Sequence, residues 1–97
     1  MPLTTKQKSY LRSLAHHREV IVTVGNAGLT DPVLSELEIA LARHELLKVR
    51  LPAIHRTERA SLAEKIATAL HAELVQEIGR VGVFYRRAEK SKITFPE

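Results

Sequence analysis

The sequence predicts an α/β (α+β) fold: a single domain in the order α-β-α-β-α-β-β, with helices packed on one mixed four-stranded sheet. Three observations carry this. Apolar residues alternate between helical spacing and short β-branched runs along the chain. Two strand–helix–strand passages imply a parallel component, because parallel neighbours need such a connection. The last two strands are separated only by Gly79-Arg80-Val81-Gly82, a connection that calls for an antiparallel hairpin.

Thr4 or Thr5 can cap a first helix running to about Ala15, with Leu11, Leu14 and Ala15 as its apolar stripe. His16-His17-Arg18 follows at its C-terminal end, where cations suit the helix dipole. Val20–Val24 is a short β-branched run and reads as a buried strand. After the loop Gly25-Asn26-Ala27-Gly28, Asp31 as N-cap and Pro32 at the first helical position open a second helix, whose inner face is Leu34, Leu37, Ala40 and Leu41.

Leu46–Leu51 alternates as a strand, with Leu47, Val49 and Leu51 on one face and Leu46, Lys48 and Arg50 on the other; Pro52 ends it. Thr57 or Ser61 caps a third helix to about Ala72, with Leu62, Ile66 and Leu70 inward. Leu74–Ile78 and Val83–Arg87 form the final hairpin. The tail from residue 88 to 97 is polar at first and carries Ile93 and Phe95, which either dock back or form a small extra strand, or else stay flexible.

With 97 residues the chain is one domain, and 44% apolar content supports a core that must be aliphatic, since aromatics are 4% and there is no Trp. The absence of cysteine excludes a disulfide framework or a thiolate zinc site and fits a cytoplasmic protein. Neither a membrane span nor a signal peptide is expected.

The net charge of +4 is segregated along the chain. Residues 1–18 hold Lys6, Lys8, Arg12 and Arg18 and no acid, whereas residues 19–42 hold Glu19, Asp31, Glu36 and Glu38 and no base. Such a balance favours a polyanionic partner.

The Gly25–Gly28 loop is the first candidate site. A glycine-bounded loop leading into a helix N-terminus presents free N–H groups and the positive end of a dipole, which attract phosphate. Neither GxGxxG nor GxxxxGK[ST] occurs, so it is not a dinucleotide or P-loop fingerprint. GxxG at a helix start is the device by which KH-type domains clamp a nucleic-acid backbone. The basic residues fall into three groups: Lys6, Lys8 and Arg12; Lys48 and Arg50; and Arg86, Arg87, Lys90 and Lys92. Each could contact phosphates without reading bases. Tyr10 and Tyr85 either stack on a base or pack at the core edge, and no RNP-type aromatic set is present. His16, His17, His44, His55 and His71 lack metal-ligand spacing, and no acid–base pair or nucleophile elbow stands out, so no metal, cofactor or enzymatic activity is expected.

The stretches LTTKQKSYLRSLAHH, VTVGNAGLTDPVLSELEIAL, RHELLKVRL and VQEIGRVGVFYRR, in this order, closely resemble the YhbY family of small bacterial proteins, the stand-alone form of the CRM (chloroplast RNA splicing and ribosome maturation) domain. The resemblance runs from about Leu3 to Pro96. It implies a fold like the C-terminal domain of bacterial translation initiation factor three, and an RNA-binding protein associated with precursors of the large ribosomal subunit during ribosome assembly. Carried over by position, it implies RNA contacts at Gly25, Asn26, Ala27 and Gly28, at Lys6, Lys8 and Arg12, and at Lys48 and Arg50. Arg86 and Arg87 join this candidate set from the basic cluster after the last strand. Ala27 is neither basic nor polar, so loop affinity would rest on backbone N–H groups with charge supplied nearby. The chain is expected to act as a monomer. The alternative is a protein–protein adaptor whose acidic second helix meets a basic, for example ribosomal, partner.

Overall fold

A computed structural model of the chain describes residues 2–96. Its elements are α1 (Thr5–His16), β1 (Val20–Thr23), α2 (Asp31–His44), β2 (Leu46–Arg50), α3 (Arg56–Leu70), β3 (Glu73–Ile78) and β4 (Val81–Tyr85). The expected order is therefore the observed one. The sheet runs β1-β2-β4-β3. β1 and β2 are parallel, as the α2 crossover requires, and β4 pairs antiparallel with both β2 and β3. The second crossover, through α3, places β3 one strand further out and leaves the central slot for β4.

Alternation in β2 divides the interior in two. Leu47, Val49 and Leu51 join Val22, Val24 and Phe84 beneath α2 and α3, which add Leu37, Leu41, Ile66 and Leu70. On the opposite face Leu46, Val75, Val83 and Tyr85 pack against Leu11 and Ala15 of α1. The layers are thus α1 on one face of the sheet and α2 with α3 on the other. The tail shares the α1 side: Ile93 and Phe95 pack on its cluster, and the Phe95 ring lies edge-on to Tyr10 and Tyr85, each at 5.9 Å between centroids. No extra strand forms among the described residues of the tail.

Several boundaries differ from the expected ones for local reasons. Thr4, not Thr5, caps α1 through a full capping box with Gln7. Thr30, not Asp31, caps α2: its hydroxyl accepts from the Val33 N–H, which leaves Asp31 as an acid in the first turn. Neither Thr57 nor Ser61 caps α3; the His55 ring Nδ1 accepts from the Thr57 N–H, so the helix starts earlier. The hairpin turn is only Gly79-Arg80, which moves β4 two residues toward the N-terminus. β4 ends at Tyr85 rather than Arg87, although the Arg86 N–H still donates to the Glu45 carbonyl and continues the β2–β4 register by one backbone bond.

α3 ends at Leu70 rather than Ala72 because His71 takes a left-handed conformation (φ 53°). A side chain there carries the steric cost that glycine avoids. His71 is exposed and donates no side-chain bond, so His71→Gly is expected to stabilise the protein by about 1 kcal/mol, read as a raised urea midpoint at unchanged slope.

Candidate nucleic-acid interface

β1 and β2 run parallel and finish together, with Thr23 beside Arg50, so the loop after β1 emerges at the same end of the sheet as Arg50 and the β3–β4 turn. The Val24 N–H donates to the Arg50 carbonyl and fixes the loop's first stem. The loop closes when the Gly28 N–H donates to the Gly25 carbonyl at 3.0 Å. Asn26 and Ala27 form the exposed tip, and their N–H groups make no backbone hydrogen bond among the described residues. α2 begins three residues beyond Gly28, so its positive end lies behind the tip.

The two glycines do different work. Gly28 sits at φ +76°, a conformation that L side chains rarely adopt, so the turn itself calls for glycine there. Gly25 lies outside the left-handed region, and a Cβ built on it would meet nothing within 4 Å. Neither the backbone nor the packing of this chain requires a glycine at position 25. Its bare, exposed backbone is available to something approaching from outside.

The basic residues divide in space. Arg12 and Lys48 meet in a cleft of about 210 Å³ on the α1 face of the sheet, with His16 at its rim and Val81 and Val83 on its floor. Arg50 is exposed and lies two residues beyond Lys48 on the same strand, between this cleft and the loop. Lys6 lies elsewhere, beside Phe95 and Pro96 of the tail. Lys8 is half-buried on α1, and Arg87 is exposed beyond β4.

Arg86 is held within the fold. Its guanidinium ion-pairs with Glu38 of α2 and donates to the Leu70 carbonyl at 2.9 Å. The hydrogen bond from Arg86 holds the Glu38 carboxyl below its ordinary pKa, and the same bond raises the pKa of Arg86. Arg18, Arg59 and Arg80 likewise spend guanidinium donors on backbone carbonyls, at His44 and Leu46, at Ile54, and at Leu51 respectively.

Two features are absent from the expected site residues. Thr57, Ser61 and Lys65 of α3 face the loop across a groove; their four-residue spacing was the available signal, because it puts them on one helix face. Glu45 is the other, a buried carboxylate between α2 and β2. Ser91 Oγ donates to it at 2.6 Å and the Lys92 N–H at 2.9 Å, which ties the tail to the body of the domain.

Among the described residues no group of His, Cys, Asp and Glu could hold a metal ion, and no helix is long and apolar enough to cross a membrane. The model of the CRS1 / YhbY (CRM) domain family matches residues 3–86. A Haemophilus influenzae protein named RNA-binding protein is 43% identical over 94 residues, covering 97% of this chain and 95% of its own. A Pseudomonas aeruginosa protein named as a probable RNA-binding protein is 40% identical over 90 residues, covering 93% and 86%. The solution structure of a Staphylococcus aureus protein suggested to bind RNA superposes with a TM-score of 0.85 at 38% identity, covering 98% of this chain and all of that one.

Proposed function

The chain belongs to the CRS1/YhbY (CRM) domain family, and from that premise we propose that it binds RNA through the Gly25–Gly28 loop, acting on precursors of the large ribosomal subunit during assembly. The observation that carries the loop assignment is Gly25: its lack of a side chain serves no need of the fold, and it stands at an exposed tip of free N–H groups ahead of a helix N-terminus. Such a tip suits a phosphate of a ribose-phosphate strand. Arg50 adds charge on one side, and the Arg12–Lys48 cleft extends the positive surface over the α1 face. Lys6, Lys8 and Arg87 contribute long-range attraction. Arg86 contributes less than its charge suggests, since Glu38 neutralises it. The pairing also weakens the adaptor alternative, because one acid of the α2 face is already engaged.

RNA binding of this kind depends on phosphate contacts and counterion release. With two or three such contacts, affinity should fall roughly tenfold between about 50 and 200 mM salt. A salt-independent affinity would overturn the electrostatic account. For the cellular role, the wild type is expected to co-sediment with large-subunit precursors on a sucrose gradient, and Asn26→Asp/Ala27→Asp to remain at the top, since two carboxylates at the tip repel phosphate. Equal co-sedimentation of both would remove the loop from the contact.

A further inference from the structure

The loop is one wall of a groove of about 440 Å³ whose other wall is α3. Asn26 and Gly28 line the loop side, and Thr57, Ser61 and Lys65 line the helix side. Thr68 continues the helix row by another turn, next to Ser61 and Lys65. Between the walls lie Ile54 and Leu62, both half-buried, which leave apolar surface at the bottom of a polar cleft. The volume falls within the range of pockets that hold small ligands, roughly 300–1,000 Å³.

We propose that this groove holds a nucleotide of single-stranded RNA, its base against Ile54 and Leu62 and its sugar-phosphate between the loop tip and the Thr57–Ser61–Lys65 row. The inference rests on the loop as the RNA contact and adds the type of strand and the second wall. An apolar floor is of no use to a phosphate; its aliphatic side chains can cover the face of an unpaired base by apolar burial. A duplex keeps its bases stacked inside and cannot deliver one to the floor. The hydroxyls of Thr57 and Ser61 can donate to phosphate oxygens and accept from a ribose 2′-OH, and the Lys65 ammonium supplies charge. Glu58 lines the groove in the first turn of α3 and Glu64 lies beside Lys65 and Thr68 on its extension; Glu58 directs phosphates away from itself, toward the loop and Lys65.

The test measures fluorescence anisotropy of a short unstructured oligoribonucleotide, alone and annealed to its complement. The proteins are wild type, Ser61→Glu, Glu58→Gln and Asn26→Asp/Ala27→Asp. Ser61 and Glu58 are exposed, so these variants should keep the wild-type melting profile. Wild type should bind the single strand several-fold to about tenfold tighter than the duplex, the scale of covering one face of a base with aliphatic surface. Ser61→Glu should lose roughly tenfold on the single strand, and Glu58→Gln should gain about two- to threefold. If the loop variant loses binding while Ser61→Glu binds as wild type does, the groove is wrong and the loop contact stands. Equal affinity for single strand and duplex also overturns the groove. If the loop variant binds as well as wild type, the loop contact fails, and the groove proposal fails with it.

Discussion

Glu45→Ala is expected to destabilise the protein by about 3 kcal/mol, among the larger effects available to one substitution. Glu45 is 2% exposed, and its side chain is the hub of a network. One carboxylate oxygen accepts from Ser91 Oγ and the Tyr85 hydroxyl, and the other from the Lys92 N–H. Alanine would strand these donors beneath the tail, and Phe95 would lose the tether that holds it over Tyr10 and Tyr85. The backbone supplies a control. Glu45 has φ 65° and ψ −48° at the end of α2, a strained conformation for any residue but glycine. Glu45→Gly loses the same carboxylate but relieves that strain, so it should cost about 1 kcal/mol less than Glu45→Ala. Urea denaturation of both variants separates the two contributions. An alanine variant within about 1 kcal/mol of wild type would mean that the network adds little net stability.

The same carboxylate dictates an acid response. Burial by itself would raise the Glu45 pKa, but the Ser91 hydroxyl and the N–H groups of Lys92, Ala88 and Ile93 outweigh it and hold the value below the ordinary 4.5. Burial and the nearby Glu45 charge push the Tyr85 hydroxyl upward. Because the Glu45 value is lowered on folding, its stabilisation is complete above the ordinary value and is lost as pH falls through the lowered one. Tail release should therefore begin below about pH 4.5, visible as narrowing of the dispersed Phe95 ring resonances. Glu45→Gln should flatten that acid limb while lowering stability at neutral pH. An unchanged limb would assign the acid response to other carboxylates.

Glu45 and Arg86 also mark where sequence reasoning stopped. Periodicity found every helix and strand, because Leu47, Val49 and Leu51 alternate and Leu37 and Leu41 share a helix face whatever lies far along the chain. Thr4 is one of the two expected caps of α1, but the α2 cap lies one residue before Asp31 and the α3 cap is His55, ahead of both Thr57 and Ser61, because neighbouring side chains of capping type compete and local sequence does not rank them. Roles that depend on distant partners were not legible. Arg86 looked like a free cation, but it is consumed by Glu38, 48 positions earlier. Nothing in the local pattern HELLKVRL singles out Glu45, because its partner Ser91 lies 46 positions later. Lys65 lies outside the three basic groups that the sequence singles out and gains its place in the candidate interface only because the crossover lays α3 beside the loop. The GxxG loop was visible throughout because its signal is local.

Gly25→Val should leave stability within about 0.5 kcal/mol of wild type and still lower RNA affinity by about tenfold or more. The stability half follows from open space at the Cβ position and a backbone outside the left-handed region, next to a strand that suits β-branched residues. The affinity half follows from steric exclusion: a branched side chain at the tip keeps a phosphate from reaching the N–H groups of Asn26 and Ala27. Gly28→Val should show the reverse emphasis. At φ +76° it carries a backbone cost of about 1–2 kcal/mol, so its primary effect is on folding. Paired melts and RNA titrations of the two variants therefore separate a glycine that shapes the turn from one that admits a ligand. If Gly25→Val binds RNA as wild type does, close approach is not the reason for that glycine. The contact would then have to move to the Arg12–Lys48 cleft on the α1 face, where charge reversal at Lys48 becomes the deciding substitution.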